Sequence, residues 1–148
     1  MEVQKEIQRQ FRQQQEKFVY YMIALSVTAI GFSIYKTTGL QLKWSQIPLG
    51  LAILFWGVSV FCGLRFLKYV ISTLYANNAY FDIMQGRDTE IGTHPKKIEA
   101  ATKGVKQAME SNSNRASAYS KWQERLFYLG IILFLLWHII EMYQATPR

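Results

Sequence analysis

Two pairs of residues in this 148-residue chain set an imidazole near a partner at a spacing that supports chemistry. His138 and Glu141 stand three apart, so on a helix they share a face where they could exchange a proton or line a water-filled path. Arg87 and His94 bracket Asp88-Thr89-Glu90-Ile91-Gly92-Thr93, which sets a guanidinium and an imidazole seven residues apart. Each pair also has a plainer reading. His138 and Glu141, with Tyr143, would lie in a lipid–water interface at the end of an apolar run. Arg87 would be a solvated charge and His94 the neighbour of a helix cap.

Other chemistry is sparse. There is no phosphate-binding glycine loop, no His/Cys metal cluster, and no Ser or Cys nucleophile with a matching His base. Cys62, the single cysteine, lies inside an apolar run, which rules out a disulfide framework and suits a small packing residue. Asp82, Asp88 and Glu90 lack calcium-loop spacing. The expectation is a chain with no cofactor, no metal and no catalytic residue beyond the alternative at Arg87 and His94, and so not an enzyme.

The elements that carry these residues are read from three charge-poor apolar runs, Phe18 to Tyr35, Trp44 to Leu64 and Leu126 to Ile140. If they span a bilayer, roughly 60 residues lie in lipid and no large soluble core remains. The expected fold is an all-α integral membrane protein, a single membrane domain over 1–148. Its parts are a cytosolic helix 1–17, spans at 18–35, 47–64 and 126–143, an outer hairpin loop 36–46, a cytosolic helical segment 65–125 and an outer tail 144–148. No small-x-small cleavage pattern follows the first run, which reads as a retained span.

Val3, Ile7, Phe11 and Phe18 recur along one stripe with neither Gly nor Pro before them, so one helix is expected over about 2–35. Ala24, Thr28 and Gly31 share a face in the first span, and Gly50, Gly57 and Gly63 punctuate the second; such small residues let another helix come close. Past Leu64 the second helix is expected to continue to Gly86. Leu67, Leu74 and Phe81, with Val70, Asn77 and Met84 three residues later, form an a/d heptad seam with Asn77 its polar member. That seam either joins copies of the chain or packs on the chain's own helices. A loop is expected over 86–93 with Thr93 or His94 as the next cap, then an amphipathic helix 96–110, a polar break at 111–114 and a final helix from Arg115. The third span, with Gly130 alone among large side chains, is expected to face lipid.

The formal charge of +7 comes from 17 Lys and Arg against 10 Asp and Glu. Four of the cations precede the first span, two lie in the hairpin, ten lie from Arg65 to Arg125 and one is Arg148. Cations concentrate on the cytoplasmic side of spans, so both the N-terminus and 65–125 are expected inside and the C-terminus outside, in the inner membrane. Nucleic acid is the lesser explanation of this charge, because anionic headgroups and orientation account for basic loops beside spans.

Arg87-x6-His94 resembles the Arg-x4-to-6-His signature of HEPN ribonucleases, in which paired helical bundles converge on RNA. Together with the small basic three-span layout, the chain also resembles the membrane accessory protein of type VI-B CRISPR systems. That resemblance implies an oligomeric pore acting in antiphage defence. The expected function is a homo-oligomer in the lipid bilayer that conducts. The alternatives are a non-conducting scaffold whose cytosolic helices bind a soluble protein, and a membrane-tethered HEPN-like ribonuclease.

Overall fold

The computed structural model describes residues 2–39, 41, 43–88, 90–92 and 94–145, and among them there are helices and no strand. Helix α1 covers Glu2–Thr37, α2 covers Ile47–Met84 behind a 3-10 turn at Trp44–Gln46, and α3 covers Pro95–Ala145. All three are long and apolar enough to cross a membrane.

The ends of the helices follow local rules. Thr37 and Thr38 turn their hydroxyls back to donate to carbonyls of the last turn of α1, and Gly39 then leaves the helix at φ 81°. Pro48 sits in the first turn of α2, where a missing N–H breaks no helical bond. The other end of α2 closes in a Schellman motif: Gly86, at φ 66°, donates to the Ile83 carbonyl at 3.1 Å and Arg87 to that of Asp82 at 2.9 Å. In the connection that follows, Asp88 Oδ1 accepts from the amides of Glu90 and Ile91. His94 offers its carbonyl to the Ile98 amide at 3.0 Å, so it holds the cap position directly before Pro95. Thr93, the other expected cap, lies outside the described residues, as does the end of the tail at 146–148.

The expected break at 111–114 is absent, and α3 continues as one helix of 51 residues. Ser and Asn lose only a few tenths of a kcal/mol each in a helix. Asn112 also donates to Ser72 Oγ at 3.0 Å, and Ala116 is buried, so packing offsets that local cost.

Contacts divide the chain into two compact units, Met1–Gly63 with Ser120–Arg148, and Leu64–Tyr119. The first has a core of Val19, Met22, Leu49, Ala52, Trp56 and Cys62. Two reciprocal contacts bind its segment of α2 to its segment of α3. At Gly130 an added Cβ would come 2.5 Å from Trp56 Nε1, and at Gly63 one would come 2.5 Å from Gln123 Nε2 and 2.8 Å from Ile23. Trp56 also lies 5.8 Å, centroid to centroid, from Phe134. The third apolar run therefore differs from the expectation in one respect: Gly130 is a packing position. The contact is a narrow stripe, with 6% of the most apolar window of α3 buried against 33% for α2.

The second unit pairs residues of α2 and α3 through the stacked rings of Tyr69 and Tyr119, 5.7 Å apart, and through Lys106 over the Tyr80 ring. Phe66, Ile83 and Ala116 are buried there. Of the heptad seam, Leu67, Val70 and Asn77 are half-buried, whereas Leu74, Phe81 and Met84 are about half exposed.

Replacing Gly130 by Ala forces a methyl group onto the rigid Trp56 ring and is expected to cost about 1–3 kcal/mol. Gly104, an exposed helical position with open space around it, is expected to gain about 0.5–1 kcal/mol on the same change. Thermal unfolding of the two variants in detergent checks the opposite signs.

Candidate functional site

Several polar side chains in or beside the apolar stretches of the first unit turn inward. Ser26, Ser33, Ser59 and Gln123 are all fully buried. An apolar surrounding makes any unpaired polar group costly, so each must find a partner nearby. Ser33 donates to the Ala29 carbonyl at 2.8 Å in its own helix. Ser59 reaches across to the Gln123 carbonyl at 2.8 Å, and Trp56 Nε1 to the Phe127 carbonyl at 3.3 Å. Gln123 Nε2 donates to the Val19 carbonyl at 3.3 Å, which ties α3 to α1. Ser26 Oγ, Gln123 Oε1 and Trp137 Nε1 are buried without a partner among the described residues.

Glu141 belongs to the same set at the hairpin end. Its carboxylate accepts from Ser45 Oγ at 2.8 Å, which fastens α3 to the 3-10 turn ahead of α2. His138 is exposed, with its ring 6.4 Å from that of Trp137 between centroids. The two residues share a helical face by spacing, yet among the described residues no hydrogen bond or ion pair joins them. Ser45 was not legible as the partner of Glu141, since the two are 96 residues apart.

The small-residue positions separate into two groups. Gly63 is enclosed by Gln123 and Ile23, while nothing lies within 4 Å of a Cβ placed on Gly31, Gly50 or Gly57. Ala24 and Thr28 are exposed as well, Thr28 with its hydroxyl returned to the Ala24 carbonyl at 2.9 Å. Gly50 also borders a 450 Å³ hollow lined by Lys43, Trp44, Gln46 and Ile47. These faces are open helix surfaces with room for a close neighbour.

Arg87 and His94 sit in the connection between α2 and α3. The Arg87 guanidinium pairs with Asp82 at 3.2 Å, which reinforces the Schellman closure between the same two residues. His94 is exposed beside the start of α3. Both residues are accounted for by helix termini, and among the described residues no hydrogen bond or ion pair joins their side chains.

A cluster that the sequence reading passed over lies on the second unit. Arg65, Lys68 and Tyr69 stand on neighbouring positions of α2, and Arg115 on α3 donates to the Tyr69 hydroxyl at 3.4 Å with its guanidinium 6.0 Å from the ring centroid. The Arg115 hydrogen bond holds the Tyr69 phenol below its usual range; burial opposes it, and the charges of Arg115, Arg65 and Lys68 add to it. The spacing of a Tyr four residues after Arg65 was visible, but the Arg115 that completes the group comes from the other helix. On α1, Arg9 and then Gln10 hold the Glu6 carboxyl below its ordinary range, a local support for the helix.

No family model matches the chain, and neither the curated proteins nor the solved structures contain a match.

Gln123→Leu exchanges a buried amide with an orphaned oxygen for an apolar group of similar volume and is expected to change stability by less than about 1 kcal/mol. Gln123→Glu puts a carboxyl against the Val19 carbonyl and is expected to cost about 2–5 kcal/mol. Comparing the midpoints of thermal unfolding of both variants in one detergent checks the contrast.

Proposed function

We propose that this chain is a non-enzymatic homo-oligomer that crosses the inner membrane three times and permeabilises it through a pore formed between copies. The N-terminus and residues 65–125 lie on the cytoplasmic side, as the distribution of Lys and Arg favours. The observation that carries the reading is the open space over Gly31, Gly50 and Gly57, beside the enclosure of Gly63 and Gly130. In lipid, helices associate through close backbone approach at small residues, and these three positions have no such use within one chain. Thr28 and His138, the exposed polar side chains of the apolar stretches, are candidates to line the passage, with the Gln-rich start of α1 at its mouth. The resemblance to the type VI-B CRISPR accessory protein supports antiphage defence as the setting.

A second reading has its own observation. Ile71, Leu74, Tyr75 and Asn78 line an open hollow of 390 Å³ on α2, mostly apolar and exposed. A soluble partner seated there would make the protein a non-conducting scaffold.

Detergent-solubilised wild type is expected to have the mass of several chains and to conduct in planar bilayers. Gly57→Leu, on an open face, is expected to reduce the mass toward one chain while leaving helicity intact. A strictly monomeric wild type without conductance would sink the pore. The scaffold predicts instead that Leu74→Asp abolishes capture of a cytosolic protein while vesicles holding the wild type stay tight.

A further inference from the structure

The segments of α2 and α3 that meet in the second unit are unusual in their charge. From Arg65 to Phe81 there is no Asp or Glu, and from Ser111 to Gln123 there is none either, while Arg65, Lys68, Arg115 and Lys121 fall within these stretches. An ordinary solvated helix surface alternates charge signs, so that neighbouring cations are offset by carboxylates. Neither stretch holds a carboxylate to offset Lys68 or Arg115. Arg115 leans on Tyr69 by hydrogen bond and over its ring, and Tyr119 stacks on Tyr69, so the guanidinium is held in place by aromatic groups from both helices. The phenol is a neutral acceptor, which orients Arg115 without cancelling its charge.

Depth along the helices agrees from two directions. Tyr69 follows Leu64, the end of the second apolar run, by about 7 Å, and Tyr119 precedes Leu126, the start of the third, by about 10 Å, at 1.5 Å per residue. The polar layer on each side of the hydrocarbon core is about 5–8 Å thick. Arg65 and Lys68 fall within that layer, and the long side chain of Arg115 reaches back toward it. Guanidinium and ammonium groups with a phenolic hydroxyl are the donors that suit phosphate oxygens.

We infer that Arg65, Lys68 and Arg115, framed by Tyr69 and Tyr119, bind the phosphate of an anionic phospholipid headgroup in the cytoplasmic leaflet. This inference rests on the membrane-spanning reading above and does not depend on a pore. Arg115 supplies a forked donor, Lys68 a point charge and the Tyr69 hydroxyl a third donor once Arg115 turns to the lipid. The bound headgroup would supply the negative charge that both stretches lack.

Protein in nanodiscs of mixed phosphatidylglycerol and phosphatidylcholine is extracted gently and its retained lipid measured by native mass spectrometry. Wild type is expected to retain phosphatidylglycerol over phosphatidylcholine, and Lys68→Gln with Arg115→Gln to lower that preference roughly 20- to 30-fold, the effect of two basic contacts at an anionic surface. Lys68→Arg is expected to keep it. The control Lys96→Gln with Lys97→Gln removes equal charge elsewhere; an equal loss there would overturn the site in favour of net charge alone. Displacement of the lipid by millimolar inorganic phosphate would overturn the lipid as ligand in favour of a soluble one. Alkaline carbonate extraction separates the two levels: wild type released from membranes refutes the spanning reading, whereas wild type that stays inserted without lipid preference refutes this inference alone.

Discussion

Two glycines placed seven residues from two large side chains govern how the apolar helices meet. Gly130 receives Trp56, and Gly63 receives Gln123, so each helix offers one gap and one filler to the other. The spacing of seven on both sides, 56 to 63 and 123 to 130, keeps the four positions on one line where the helices run antiparallel. The short backbone distance this allows brings Ser59 Oγ to the Gln123 carbonyl and Trp56 Nε1 to that of Phe127. A Cβ at Gly130 would meet the rigid Trp56 ring and push the helices apart, whereas one at Gly63 would displace the ends of the Gln123 and Ile23 side chains. The hydrogen bonds of the interface thus depend on a steric condition, the absence of two side chains.

The same condition sorts the polar residues. In an apolar surrounding, a serine or glutamine is tolerated where it can donate to a carbonyl; Ser33 does so to its own helix, and Ser59 and Gln123 do so across to another. What remains outward is apolar surface and glycine. The division has a functional meaning: enclosed glycines hold one chain together, and open ones leave flat surfaces on which a neighbour can lie. A lining for any passage must come from what few polar groups stay outside, chiefly Thr28 and His138.

Much of this was legible in the residues. Hydropathy and length give the three helices, because in lipid only a helix satisfies its own backbone, and Gly39, Gly86 and Pro95 stand where chain direction changes for reasons of φ and missing N–H groups. The interruption expected at Ser111–Asn114 failed because propensity is a weak local preference and Asn112 has a partner, Ser72, forty residues away. The roles of individual glycines were less accessible. Periodicity places Gly57 and Gly63 in one helix without saying which faces α3, since that depends on Gln123 and Trp56 filling particular gaps. Glu141 was seen as a neighbour of His138, whereas its partner Ser45 comes from a segment that only the folded chain brings near. The cationic group around Tyr69 was hidden for the same reason, half of it lying on each helix.

The sequence separation of the closing contacts bears on the order in which the chain is built. Val19 meets Gln123 across 104 residues and Ser45 meets Glu141 across 96, while α1 and α2 are joined by a short connection. During synthesis the first two helices therefore exist as a hairpin well before α3 emerges, with the gap at Gly63 unfilled and Ser59 facing no partner. Loop closure over such distances is slow relative to helix formation. For that interval the hairpin displays all of its glycine surfaces at once, those destined for α3 and those open in the finished chain. In the homo-oligomer proposed above, copies that met too early would pair through Gly63 and exclude their own third helix, so its assembly would require α3 to arrive before neighbours do.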